Sequence, residues 1–563
     1  MKIVIVGGVA GGASAAARLR RLDEQAEIII FEKSGFVSYA NCGLPYYIGG
    51  IITEQSALTL QTPESFWKRF HIQVKVNHEV TAIKPENHTV SVRNLTTGED
   101  FVETYDKLIL SPGAKPTRPP LPGINSNKIF SLRTVEDTLR IHDYVQEHKP
   151  QSAVLVGGGY IGIEVAENLR ELGISVTIVQ RPCQLMNTLD YDMATLVHAE
   201  MRRKDITLKL GSSVIGFREE NDQIITELKN ESEIPADLVL LAIGVTPDTA
   251  LAKNAGLKLG IKESIVVNDR METSIPDVYA VGDAVQVKHQ VTGEDAVISL
   301  AGPANKQGRI AADTICGQES HYRGSLGSSV IKIFDLTVAS TGMTEKAAKA
   351  ARINYDRVVL SPSSHAGYYP GAKPMTMKVV FEKETLRLLG AQIIGADGVD
   401  KRLDVLATAI QAGIPADKLK DLDLAYAPPY SSAKDPVNMA GFMIENLHAG
   451  LVKQWHWDQE PLLPRDGSVT LLDTRTAAEY ERGHINGFVN IPVDDLRERL
   501  SEIELAKPVY VICQSGLRSY IACRILSQKG YDCYNFSGGY RFYAAVTQEK
   551  QASENVFPCG MER

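Results

Sequence analysis

Ile3-Val4-Ile5-Val6-Gly7-Gly8-Val9-Ala10-Gly11-Gly12 decides the fold of this chain. Four apolar residues in a row read as a buried strand, the glycines that follow as a tight turn, and Ala13 to Leu22 as an alanine-rich helix. Ile28 to Phe31 supplies a second buried strand, which ends at Glu32. Such a βαβ unit aims the backbone N–H groups of its turn and its helix N-terminus at a pyrophosphate, while the acid closing the second strand accepts hydrogen bonds from a ribose. The opening residues read as a strand and not as a signal peptide, because the apolar run breaks at Gly7.

The arrangement recurs at strand Ala153 to Val156, turn Gly157-Gly158-Gly159-Tyr160-Ile161-Gly162, a helix through Leu172, and strand Val176 to Val179. Ile161, Val165, Leu169 and Leu172 fall on one helical face. Two dinucleotide sites follow. The first departs from the usual fingerprint, with Gly7, Val9 and Gly12 in its three positions and extra glycines at 8 and 11. Where an acid usually reads the NAD ribose, the second unit has Gln180 and then Arg181, a residue that can meet a 2′-phosphate. NADH is the expected cofactor and NADPH stays open.

A chain of 563 residues holds three to five domains at ordinary domain sizes. From about Gly324 the texture becomes strand-like, with Val330 to Phe334, Met375 to Phe381 and Leu388 to Ile394, then a helix with Leu403, Leu406, Ala407 and Ile410 in register. Gln454-Trp455-His456-Trp457 through Pro461 and Pro464 reads as a linker before an α/β pattern resumes at Val469. A net charge of −8 argues against nucleic acid as a partner, and the lack of an 18-residue apolar run predicts no membrane span. Seven cysteines (42, 183, 316, 513, 523, 533, 559) are an odd, sparse set that suits a reducing, cytoplasmic location. No Cys-x-x-Cys pair is present, so no metal site is expected.

Thr273-Ser274-Ile275-Pro276-Asp277-Val278-Tyr279-Ala280-Val281-Gly282-Asp283 resembles the second FAD motif of the flavoprotein disulfide reductases, and Tyr105-Asp106-Lys107-Leu108-Ile109-Leu110-Ser111-Pro112-Gly113-Ala114 resembles their crossover motif. The resemblance implies an α/β fold with two Rossmann-like domains, an α+β dimerisation domain, and a homodimer. Its boundaries would be 1–112 with 244–322 for FAD, 113–243 for NAD(P)H, 323–450 for dimerisation, 451–464 for the linker, 465–550 for a last domain and 551–563 for a tail. FAD is then expected at Gly7, Val9, Ala10, Gly11, Gly12, Glu32, Lys33, Val80, Ser111, Gly113, Arg133, Gly282, Asp283 and Ala301. The nicotinamide cofactor is expected at Gly157, Gly159, Tyr160, Ile161, Gly162, Gln180 and Gly244.

Most of that superfamily carries a Cys-x4-Cys pair at the flavin, whereas Ser38-Tyr39-Ala40-Asn41-Cys42-Gly43-Leu44-Pro45 supplies one cysteine. A single-cysteine centre resembles the coenzyme A disulfide reductase branch, which also contains NADH oxidases and peroxidases. The last two typically place a His in the first glycine turn; here that turn has none, which favours a thiol-type substrate. Arg18 and Arg21, three apart on one helical face, suit either phosphates or solvent. By the resemblance, Ser14, Arg18, Arg21, Ser38, Asn41, Asn305 and Lys434 would hold coenzyme A, Lys434 across the dimer, and Tyr368 and Tyr426 would donate hydrogen bonds to a departing thiolate.

Leu471-Leu472-Asp473-Thr474-Arg475, Glu479, Gly483-His484-Ile485, Gly487 and Asn490-Ile491-Pro492 resemble rhodanese domains, and Cys513-Gln514-Ser515-Gly516-Leu517-Arg518-Ser519 fits their active loop. A loop of N–H groups around a cysteine at a helix N-terminus, with Arg518 adding charge, lowers a thiol pKa and cradles a persulfide anion. The expected function is NAD(P)H- and FAD-dependent reduction of coenzyme A persulfide, polysulfide or coenzyme A disulfide through Cys42, with Cys513 handling sulfane sulfur. An NADH oxidase or peroxidase, or a sulfurtransferase or sulfur carrier, are the alternatives.

Overall fold

The computed structural model describes residues 1–229 and 231–552. They fall into two compact units: 1–183 with 205–327, and 184–204 with the described residues from 328 onwards. Cys559 and all but the first two residues of the expected 551–563 tail lie outside the described residues.

In the first unit β1 (Lys2–Val6), α1 (Ala10–Leu22) and β2 (Glu27–Glu32) form the opening βαβ unit. β1 is central in a parallel five-stranded sheet, pairing Ile3 with Ile28 on one side and with Lys107 on the other. Its Ile3, Val4 and Ile5 are wholly buried, which is why the strand is apolar after Lys2 at its edge. The helix begins at Ala10, three residues before the sequence boundary, so Gly11 and Gly12 are helical. A β-carbon at Gly12 would stand 1.9 Å from Gly7 O, and Gly7 has φ +93, so both positions need glycine for the turn to close.

The short helix α2 (Leu44–Ile48) follows the Cys42 turn. The second βαβ unit is β3 (Ser152–Val156), α3 (Tyr160–Glu171) and β4 (Ser175–Gln180), inside another five-stranded parallel sheet. Val165 and Leu169 are buried, but Leu172 lies past the helix end and is exposed, a correction to the expected apolar face. Helix α4 (Ala301–Ile315) packs on α1 so closely that a β-carbon at Gly308 would stand 2.3 Å from Gly11 O.

The second unit contains an antiparallel five-stranded sheet of residues 329–395, covered by helices Val399–Ala412 and Pro436–His448. It also contains a parallel five-stranded sheet that includes β5 (Thr470–Asp473) and β6 (Val509–Ile512). Residues 451–464 are not a linker: Lys453–Trp455 forms an edge strand of this second sheet, paired with Tyr534 to Phe536. Trp455 is 1% exposed and its ring meets Phe536 at 4.5 Å, so burial of one indole recruits the segment.

The helix Tyr191–Arg203 belongs to this unit as well, not to the expected 113–243 domain. Met193, Val197 and Met201 are buried on it. His198 Nδ1 and Arg202 Nη2 lie 3.4 and 3.1 Å from Glu549 Oε1. Lys378, fully buried in strand Met375–Glu382, sits between Asp190 (3.1 Å), Asp192 (2.8 Å) and Glu345. Arg357 bridges Glu345 (2.5 Å) and Asp458 (2.6 Å), and Trp457 Nε1 donates to Asp192 at 3.2 Å. The three carboxylates that cluster here are thus drawn together by a lysine ammonium.

Candidate functional site

Cys42 lies in the turn Asn41–Gly43 that leads into α2, where Pro45 occupies the first helical turn without the loss of a needed N–H. Its neighbour Ser38 has φ +49 and donates its backbone N–H to Gly8 O at 2.9 Å, tying the cysteine loop to the first glycine turn. At the other end, α2 abuts α3: a β-carbon at Gly49 would stand 2.0 Å from Asn168 Oδ1. The Cys42 side chain is exposed to solvent at one side, yet the protein packed round it pushes the thiol pKa up, and the charges of Glu164 and Asp283 add to this, with Arg133 opposing. Glu164, on α3, is itself pushed up to about 7 by burial and by Glu167, while Tyr46 hydrogen-bonds to it. Nothing in the spacing around Cys42 reveals Glu164, which comes from a helix and stands 122 positions along the chain.

Both glycine turns have the same internal contact. Gly8 N donates to Glu32 Oε2 at 2.8 Å, and Gly158 N donates to Gln180 Oε1 at 3.0 Å, so the amide of Gln180 stands where the first unit has its acid. Glu32 is buried and its carboxyl is pushed up by that burial. Val9 and Ala10 lead into α1, and Gly11 faces Ser111 Oγ, 3.0 Å from where a β-carbon would be. Arg133 Nη2 meets Asp283 Oδ2 at 2.7 Å beside Gly113 and after Gly282, which has φ +83. Ala301 opens α4. Lys33 is exposed and pairs with Asp248 at 3.1 Å, and Val80 is buried in the core shared with β1 and β2.

In the second turn Gly157 has φ +115 and Gly162 closes on it, 2.1 Å from β-carbon to Gly157 O. Tyr160 and Ile161 begin α3, while Gly159 and Gly244 face open space that a β-carbon would not fill. The turns, the acid at Glu32 and the open approach at Gly159 fit FAD in the first unit and NAD(P)H in the second.

Along α1, Ser14 Oγ donates to Asn305 Oδ1 at 2.6 Å and Arg18 Nε pairs with Asp313 Oδ1 at 2.6 Å, one turn apart and both facing α4. Arg21 is exposed. In the second unit Tyr368 and Tyr426 share a hydrogen bond between their hydroxyls at 2.6 Å although they are 77% and 45% exposed. Lys434 is exposed just before the capped helix Pro436–His448.

Cys513 follows β6 directly and is buried beneath its loop, where Gly516 N and Ser519 Oγ lie 3.1 and 3.2 Å from Sγ. Gly516 has φ +101 and precedes α6 (Leu517–Gln528). The loop is held from behind by α7 (Gly539–Ala552), whose Tyr540 N donates to Cys513 O at 2.7 Å. Arg518 is closed in a two-pronged pair with Glu479, at 2.7 and 2.8 Å. That pair holds the Glu479 carboxyl down at about 2. The sequence motif names Arg518 but gives no sign of Glu479 as its partner.

Residues 1–308 match the pyridine nucleotide-disulphide oxidoreductase family, 328–436 its dimerisation domain, and 460–545 the rhodanese-like domain. A coenzyme A disulfide reductase of Staphylococcus haemolyticus is 38% identical over 447 residues, which is 79% of this chain and 100% of that protein. The crystal structure of reduced Bacillus anthracis CoADR-RHD has 49% identity and a TM-score of 0.95, covering 97% of this chain and 98% of that one. A NAD-dependent persulfide reductase from A. fulgidus has 36% identity and a TM-score of 0.90, covering 96% and 100%. Among the described residues no helix is long and apolar enough to cross a membrane. With its two dinucleotide folds, its dimerisation domain and its cysteine loops, the chain belongs to the pyridine nucleotide-disulphide oxidoreductase family, whose cofactors are FAD and NAD(P)H, and it carries a rhodanese-like domain.

Proposed function

We propose that the protein reduces coenzyme A persulfide, polysulfide or coenzyme A disulfide at Cys42, and that Cys513 takes up sulfane sulfur. The observation that carries this reading is a solitary thiol, Cys42, exposed in a turn bonded to the first glycine turn, in a chain matching both a coenzyme A disulfide reductase and a persulfide reductase along its length. FAD, when bound, supplies the electron pair taken from NAD(P)H.

The Cys42 thiolate attacks the coenzyme A sulfur of the bound substrate; the new bond is Sγ–S, the substrate S–S bond breaks, and its outer part leaves as sulfide from a persulfide or as thiol from the disulfide, after which the electron pair from NAD(P)H splits the mixed disulfide into the Cys42 thiolate and a thiol. Ser14, Arg18, Arg21, Ser38, Asn41 and Asn305 are assigned to coenzyme A, with Lys434 from the partner copy. Arg18 is already balanced by Asp313, so the exposed Arg21 is the stronger phosphate anchor of the two. Tyr368 and Tyr426, which share one hydrogen bond between their hydroxyls, are assigned to the departing thiolate. Gly7 to Gly12, Glu32 and Asp283 are assigned to FAD, and Gly157 to Gly162 with Gln180 to NAD(P)H.

A homodimer agrees with the matched dimerisation domain, and a cytoplasmic location with six described cysteines that are all free. Sulfide release from coenzyme A persulfide with NADH is the test. Turnover by Cys42→Ser equal to the unaltered enzyme would overturn the mechanism, and fast oxygen consumption without a thiol substrate would favour an oxidase.

A further inference from the structure

Cys513 lies under its loop, so an incoming sulfur donor first meets the residues of the rim. The cations there are largely balanced. Arg518 gives Nη1 to Glu479 Oε2 and Nη2 to Glu479 Oε1. Arg475, 1% exposed, binds Asp473 through Nε and Nη2, donates to Gly483 O and Glu479 O, and lies 3.8 Å from the Tyr540 ring centre. The exception is Arg541, whose backbone N–H donates to Gln514 O at 3.2 Å and whose guanidinium pKa is lowered by burial. Beside the Arg518–Glu479 pair the rim is apolar, with Leu517 62% and Ile521 39% exposed one turn apart on α6.

An oxyanion is gripped by an open guanidinium fork, and here a carboxylate already fills it. We propose that Glu479 is a specificity-determining residue of the sulfur site: by closing the fork of Arg518 it turns Cys513 away from oxyanionic donors such as thiosulfate and towards organic persulfides, R–S–SH. Their slim sulfur end, at most singly charged where thiosulfate is doubly charged, and their carbon chain suit an apolar, charge-balanced rim. This rests on the reading that Cys513 carries sulfane sulfur. The Cys513 thiolate attacks the outer sulfur of R–S–SH; the Sγ–S bond forms, the donor S–S bond breaks, and its electron pair leaves on R–S⁻, which takes a proton from water. One sulfane sulfur moves and no outside oxidant or reductant is required. Gly516 N–H and Ser519 O–H, both on Sγ, hold the thiolate in place for the attack.

The test measures thiocyanate formed from cyanide by the full-length holoenzyme, with thiosulfate or glutathione persulfide as donor. For the unaltered protein kcat/KM should favour the persulfide by about a hundredfold. Glu479→Gln should raise the thiosulfate value by about tenfold, the scale of one charge-assisted bond regained, with the persulfide value within about twofold. Adding Arg518→Gln should cancel that gain, which a merely structural role for Glu479 does not predict. Equal use of both donors by the unaltered protein, or a stably folded Glu479→Gln protein with no gain on thiosulfate, overturns the proposal. If Glu479→Gln does not fold, Glu479→Asp opens the fork by shortening the acid and is read in the same way. Mass spectrometry of Cys513 separates the two levels: no added sulfur from either donor overturns the sulfur-carrier reading, whereas equal loading from both overturns the donor preference alone.

Discussion

Lys378 Nζ stands 2.8 Å from Asp192 Oδ1 with the lysine wholly buried, so a sheet strand and the helix Tyr191–Arg203 are joined by charges that water does not reach. Taking away one partner leaves the carboxylates without compensation in a poorly polarisable interior. Lys378→Met should cost about 3 to 5 kcal/mol of stability. Urea denaturation measures this, and restoring part of the loss with a second change, Asp192→Asn, would tie the cost to the charge. An unchanged midpoint in the single variant would contradict it.

Glu164 raises the Cys42 pKa only while it is ionised, and its own carboxyl titrates at about 7. The sign follows: removing that negative charge stabilises the thiolate, so Glu164→Gln moves the rise of Cys42 alkylation rate to lower pH. The rate of iodoacetamide labelling of the reduced holoenzyme, followed against pH, reports it. A shift to higher pH would exclude Glu164 as a neighbour that matters.

Gly12→Ala puts a β-carbon 1.9 Å from Gly7 O, against backbone that has no room to move. The variant should purify with little flavin, read from visible absorbance per protein. Full flavin content would mean that the turn is looser than the contact implies.

The Glu479 carboxyl is held at about 2, below its ordinary 4.5, by Arg518. Its folded value lies under its unfolded value, so the pair's contribution to stability is complete above about pH 4.5 and fades as pH falls towards about 2. Acid denaturation of Glu479→Gln should lack that portion of the slope while matching the unaltered protein's slope near neutrality.

A rhodanese fragment starting at residue 451 should be more stable than one starting at 465 by about 3 to 5 kcal/mol, the usual cost of losing a buried tryptophan. Comparing the two in urea tests whether strand Lys453–Trp455 is integral. Equal midpoints would return that segment to the status of a connector.

The βαβ units were legible because their chemistry is local: strand, glycine turn and closing residue lie within thirty positions, and Gly7, Gly12, Gly157 and Gly162 must be glycine for backbone reasons that spacing exposes. What escaped the sequence was long-range or disguised. Trp455 sits in a strand of three residues, too short for alternation to register, ahead of prolines that read as loop. Lys378 hides in the mostly apolar run Met375 to Phe381, where the one charged residue suggests a solvent face and proves to be the centre of a charge cluster. Glu479 and Arg518 lie 39 positions apart, and the motif that contains each gives no sign of their pairing. Helix Tyr191–Arg203 leaves its expected domain because His198 and Arg202 pair with Glu549 and Asp192 with Lys378.

Glu549 against His198 and Arg202, Asp458 against Arg357, and Trp457 against Asp192 tie the C-terminal part to residues far earlier in the chain. The Staphylococcus relative aligns along its whole length with only 79% of this chain. Without the C-terminal part, His198 and Arg202 would lose Glu549, Arg357 would keep only Glu345 of its two acids, and Asp192 would lose the Trp457 N–H. Loss of the C-terminal part would therefore be felt as unpaired charge well outside it, at positions 198, 202 and 357.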